Sequence, residues 1–181
     1  MARWCIVPGG YCHYLNEEEL FKEMIDEPSA DKISHYRLQH YIDSNSENYP
    51  THALGPISKW LGINRGNRMV SLCSFASKAR SLKQFAEDNF GKENEYANID
   101  YKQGDIVTTV ITCENGETIV LTLDTTLPRV NYSRDIGVRG TKGMISEDLK
   151  AVFVQGVEHN VLNNEDEFFS KIRASITQRS S

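Results

Sequence analysis

No stretch of this sequence approaches the ~20 consecutive apolar residues that a membrane-spanning helix needs. The opening Met1 to Gly10 lacks the charged-then-apolar build of a secretion signal, so the expectation is a cytoplasmic protein without a membrane partner. Cysteine is scarce, and Cys5, Cys12, Cys73 and Cys113 form no C-x-x-C pair. Cys73 and Cys113 fall in strand-like runs and read as small buried hydrophobes, and reduced thiols suit the cytosol. A zinc site from Cys12, His13, His35 and His40 matches no familiar ligand spacing. Excess positive charge is also missing. The net charge is −5 with the signs interspersed, which argues against nucleic acid or anionic membranes as partners. Internal repeats and low-complexity linkers are absent too.

What remains is the composition of an ordinary globular protein, 39% hydrophobic and 25% charged. Its 181 residues suffice for one good core or two small ones, and they read as a single domain over 1–181. Trp4 to Tyr14 is short and extended. Alternation there puts Tyr11 and His13 on one face, Cys12 and Tyr14 on the other. Asn16 caps a predicted helix whose stripe is Leu20, Phe21, Met24 and Ile25, and Pro28 ends it. His35 to Ile42 alternates weakly and predicts a strand with one face toward a cavity. Met69 to Phe75 predicts a strand, Ser77 to Phe90 a helix, and Gly91 to Gly104 a polar surface excursion.

Asp105 to Thr125 is the best-defined unit, because Asn115-Gly116 between two β-rich runs is the strongest short hairpin signal. A two-residue turn pairs Cys113 with Thr118 and Val110 with Leu121. Ile106, Thr108, Val110, Thr112, Ile119, Leu121 and Leu123 then form the predicted core face. The other face, with Val107, Thr109, Ile111, Cys113, Thr118, Val120, Thr122 and Asp124, suits either a subunit interface or a tolerant outer surface. Arg134 to Val138 and Gly143 to Ser146 read as a second hairpin, Ala151 to Gln155 as a further strand, and Glu165 to Ile176 as a last amphipathic helix. The fold class is α+β: a largely antiparallel open sheet flanked by helices.

The chemistry concentrates at Asn48-Tyr49-Pro50-Thr51-His52. Proline suits the first helical position, and it holds the residue before it, Tyr49, extended. The following helix has the stripe Ala53, Leu54, Ile57, Trp60 and Leu61. At about 100° per residue, His52 points roughly 140° from the centre of that stripe. The positive end of the helix dipole favours a neutral imidazole there, as a general base requires. The plainer alternative is a solvent-facing histidine at an ordinary helix start. Gly55-Pro56 inside the helix breaks a local rule within one turn of His52, as functional sites tend to do.

Several motifs carry a resemblance: Gly10-Tyr11-Cys12-His13, Tyr36-Arg37, Asn48 through Pro56, Ile63-Asn64-Arg65-Gly66, Asp124-Thr125-Thr126-Leu127-Pro128-Arg129, and Gly137 through Gly143. Over about Gly9 to Gly143 the chain resembles the C-terminal half of the NAD-dependent α-N-acetylgalactosaminidases of glycoside hydrolase family 109. These belong to the wider glucose–fructose oxidoreductase and inositol dehydrogenase family. The resemblance implies a sugar oxidised transiently at C3 by the cofactor, loss of the C2 proton, elimination of the C1 substituent, addition of water and return of the hydride. It implies catalytic roles for His52 near C3 and for Tyr11 and Tyr49 near C2 and the ring. His13, Arg37 and Tyr132 are implied as sugar contacts. It further implies an open sheet that often forms a homodimer contact.

The chain also departs from that family. No G-x-G-x-x-G follows a strand and opens a helix, so no Rossmann domain and no bound NAD are expected in these residues. Met1 to Trp4 does not match the family linker, Tyr14 stands where an aspartate is usual, and the tail after Lys150 diverges. The expectation is a carbohydrate-binding half, inactive alone and dependent on a Rossmann-domain partner. The alternative is a catalytically silent dimerisation or ligand-binding module.

Overall fold

Strands β3 (Ile106–Cys113) and β4 (Thr118–Asp124) build the centre of the sheet, but through a different turn from the one predicted. The Gly116 N–H donates to the Cys113 carbonyl at 3.0 Å and the Cys113 N–H to the Glu117 carbonyl at 2.8 Å. The loop is therefore Glu114-Asn115-Gly116, three residues long, with Gly116 at φ 92° supplying the left-handed step. Val110 consequently faces Val120, and Thr112 faces Thr118. A one-residue slip exchanges the two faces of a strand. The β3 core residues are thus Val107, Thr109, Ile111 and Cys113, on the face predicted to lie outward, while Ile119, Leu121 and Leu123 of β4 are buried as expected.

The structure, a computed structural model, describes residues 5–8, 36–48, 50–124, 126–127, 136–156, 163–164 and 170. Around the central hairpin stand β1 (Cys5–Pro8), β2 (Met69–Ala76), β5 (Ile136–Gly140), β6 (Gly143–Ser146), β7 (Ala151–Val154) and β8 (Asn163–Asn164). They form an 8-stranded sheet in the order β2-β3-β4-β1-β5-β6-β7-β8. Its described pairings are antiparallel except that of β1 with β4. One register row crosses every strand: Leu72, Ile111, Ile119, Ile6, Val138, Ile145, Val152 and Asn163. The predicted helix after Asn16 lies outside the described residues, as does the predicted tail helix save Ser170.

Helix α2 (Thr51–Trp60) covers the inner face of β3 and β4 through Ala53 and Ile57, which share a core with Val107, Ile111, Ile119 and Leu123. Full burial of a side chain such as Ile57 stabilises by about 1.5–3 kcal/mol. Trp60, predicted in the same stripe, is 55% exposed. It is the last residue of the helix, and the places beyond Ile57 are filled instead by Leu61 and Ile63.

A second core joins helices α1 (Tyr36–Asp43) and α3 (Ser81–Phe90) to a 3-10 turn at Glu95–Asn98. Here the predicted strand His35 to Ile42 is a helix. Leu38 and Tyr41 are buried with Ile42 packed beside them, a helical spacing, whereas His40, which alternation grouped with Leu38, is exposed. The predicted surface excursion from Gly91 to Gly104 is likewise partly core. Ala97, Tyr101 and Gln103 are buried, because the 3-10 turn folds this stretch back against α1 and α3.

Candidate functional site

Helix α2 starts without a side-chain cap: Pro50 stands at its threshold with φ −73° and ψ −16°, and its carbonyl accepts from the Leu54 N–H at 2.8 Å. The first-turn N–H groups therefore keep their positive field beside Thr51 and His52. Both of these residues are exposed while Ala53, next in the chain, is buried. The helical phase that sets Ala53 and Ile57 on the sheet turns His52 outward, as its spacing predicts. Gly55 and Lys59 share that outward surface. Among the described residues, an ideal Cβ at Gly55 meets nothing within 4 Å beyond its own helix backbone, so the helix surface at Gly55 has room for a methyl group.

Of the predicted site residues, His52 alone has a described side chain. Arg37 falls in the first turn of α1, a helix where a strand was predicted, and its backbone alone is described. Tyr11, His13, Tyr49 and Tyr132 lie outside the described residues. Among the described residues no three His, Cys, Asp or Glu side chains cluster to hold a metal. The ionisable groups displaced by the fold sit in the two cores. Burial, helped by Tyr96, pushes Tyr101 up to about 12. Burial also raises Tyr96, with Glu95 adding to it, and Cys113, with Glu117 adding to it.

Sequence reasoning missed the residues that fix the approach to α2. Gln103 Oε1 accepts from the Ser46 N–H at 3.0 Å and from Asn48 Nδ2 at 2.9 Å. Asn45 Oδ1 accepts from the Gly104 N–H at 3.0 Å. Only the buried pairing of α1 with residues 101–104 could have revealed this. A separate groove of about 330 Å³ lies at the β5–β6 turn, lined by Arg139, Thr141, Lys142, Met144, Phe153 and Gln155. His52, the predicted site residue with a described side chain, does not line it.

The description "Glycosyl hydrolase 109, C-terminal domain" matches residues 6–180. The chain belongs to this family. An alpha-N-acetylgalactosaminidase of Tannerella forsythia is 43% identical over 129 residues, which cover 71% of this chain and 27% of the relative. A glycosyl hydrolase family 109 protein of Parabacteroides distasonis is 41% identical over 145 residues, 80% of this chain and 31% of that protein. One from Stenotrophomonas maltophilia is 41% identical, across 71% and 28%. This family member thus spans under a third of the length of those relatives. An oxidoreductase domain protein from Kribbella flavida aligns over 90% of this chain and 38% of its own, with a TM-score of 0.49 and 13% identity.

NAD, implied by the resemblance, finds no pyrophosphate site at the N-terminus of α2 or of α3. A pyrophosphate needs a free helix N-terminus behind a glycine-rich turn. At α3 that position is already held by a carboxylate: Asp105 accepts from the N–H groups of Arg80 and Ser81 and from the Ser81 hydroxyl. At α2 the turn carries Pro50 and no glycine.

Proposed function

We propose that this family 109 domain is the sugar-binding and proton-transferring portion of an NAD-dependent glycosidase acting on N-acetylgalactosaminide-like glycosides, with the nicotinamide held by a Rossmann partner. The observation that carries it is His52: an exposed imidazole on the first turn of an uncapped helix, inside a domain matched over residues 6–180. The relatives' name supports the substrate class. Tyr11 and Tyr49 take the remaining catalytic roles, and His13, Arg37 and Tyr132 the sugar contacts. The isolated chain is inactive and cytoplasmic; free thiols at Cys73 and Cys113 support a reducing compartment. Among the described residues no helix is long and apolar enough to cross a membrane.

N-acetylgalactosamine titrated into the chain and followed by NMR should give saturable shifts that His52→Ala abolishes. Absence of any shift in the wild-type chain sinks the reading. Calorimetric titration with NAD should give no saturable heat. The second reading, a silent dimerisation module, draws on the uncovered outer face of β2–β4, where Phe75 is 66% exposed and Cys73 is also exposed. That reading fits if the chain dimerises and binds no sugar.

A further inference from the structure

We propose that Gln103 is a positioning residue for this site: its buried amide fixes the α1–α2 connection and so the place from which His52 is presented. The proposal rests on the sugar-site reading above. Gln103 is 2% exposed, so its amide must find partners within the protein. Its Oε1 collects two donors from the connection, the Ser46 N–H and Asn48 Nδ2, across sequence separations of 57 and 55 residues. The Ser46 hydroxyl donates to Asn48 Oδ1 at 2.7 Å, which orients that amide so that its nitrogen faces Gln103. Asn48 stands two residues before Pro50, where α2 begins.

The support beneath Gln103 is stiff. The N–H groups of Lys102 and Gln103 both donate to the Tyr41 carbonyl, at 2.9 and 3.0 Å, tying this strip to α1. A Cβ at Gly104 would overlap the Ser77 carbonyl oxygen, so the backbone there lies directly against the end of β2. Ser77 in turn is bonded to Ile106 through both its N–H and its hydroxyl. The path from sheet to Gln103 to Asn48 is therefore a chain of short contacts. Helix α2 has no side-chain cap to set its own starting angle, and Gln103 supplies that constraint from outside. Misplacing a catalytic group by about 1 Å costs on the order of 100-fold in rate, so such a constraint matters.

The test uses the full chain with Gln103→Met, which keeps the shape and removes the acceptor, and Gln103→Glu, which keeps an acceptor oxygen. Gln103→Met should speed hydrogen exchange at the Ser46 N–H tenfold or more and shift the His52 imidazole signals. Exchange at Ile111 and Ile119 in the sheet should stay unchanged, and N-acetylgalactosamine affinity should fall tenfold or more. Gln103→Glu should restore the His52 signals. Asn48→Ala removes the half-buried partner instead of the buried amide and should reproduce the His52 shift, so it carries the test if Gln103→Met does not fold. Unmoved His52 signals in a folded Gln103→Met or Asn48→Ala chain overturn the proposal. A wild-type chain that binds no sugar overturns the functional reading instead, because the exchange and imidazole readouts need no ligand.

Discussion

His52 and Gly55 share one exposed surface of α2, and each departs from what stability alone would select. Glycine inside a helix costs about 0.5–1 kcal/mol relative to alanine, and nothing crowds a Cβ at Gly55. Gly55→Ala should therefore stabilise the chain by about that amount in urea denaturation. If the surface at Gly55 serves a sugar, the same change weakens binding. His52→Ala should leave stability within about 0.5 kcal/mol, because the side chain lies off the core. A loss of several kcal/mol in that melt would place the imidazole in a structural network. The outward phase of His52 was legible because Ala53, Leu54, Ile57 and Leu61 fix the orientation of a whole helix even though Trp60 leaves the stripe. Gln103 was not legible, since its partners Ser46 and Asn48 are remote in sequence and a polar run around a buried amide looks like a surface loop.

Local patterns identified most elements but misjudged how they pair. Asn115-Gly116 marks a hairpin correctly, yet the dipeptide serves a two-residue turn and a three-residue loop alike. The choice is made at a distance by Asn67. Its Oδ1 accepts from the N–H groups of Arg68 and Asn115, while its Nδ2 donates to the Leu61 carbonyl and to Glu117 Oε2 at 3.1 Å. Asn67 and Glu117 are both buried, so Asn67→Ala strands a carboxylate and should destabilise by about 2–3 kcal/mol in urea titration. A change under 0.5 kcal/mol would mean that water replaces the amide. Helix α1 was missed for a related reason: with four aromatic or aliphatic residues among eight, the spacing of Leu38, Tyr41 and Ile42 reads as weak alternation until its neighbours Ala86 and Tyr101 are known. Tyr101 gives that second core an alkaline limit. Its phenol donates to the Tyr96 carbonyl and is pushed from 10.0 up to about 12, chiefly by burial. The folded state holds the proton more tightly, so this stabilisation is complete below pH 10 and is lost as pH rises from 10 toward 12. Thermal melts across that window should show the fall, and Tyr101→Phe should flatten it.

For the whole molecule, the register decides which face of β3 and β4 lies under α2, while β2 is exposed on both faces, Leu72 on the inner one as fully as Phe75 on the outer. Sequence spacing nominated Val107, Ile111 and Val120 together as an interface, but Val107 and Ile111 lie under α2. The uncovered face carries Phe75 with Thr108 and Thr122 in one row, and Cys73 with Val110 and Val120 in the next. Phe75 at 66% exposure, beside valines and threonines rather than lysines and glutamates, is more apolar than a free sheet surface ordinarily tolerates. We propose homodimerisation as one use of this face, because a second copy packed face to face would bury these rows without any new element. Val120→Asp sets a charge at its centre and leaves the inner core of Ile119 and Leu121 untouched, so it should convert a dimer to a folded monomer in sedimentation velocity. A wild-type chain that stays monomeric at high concentration removes this role and leaves the outer face to whatever part of the longer relatives adjoins it.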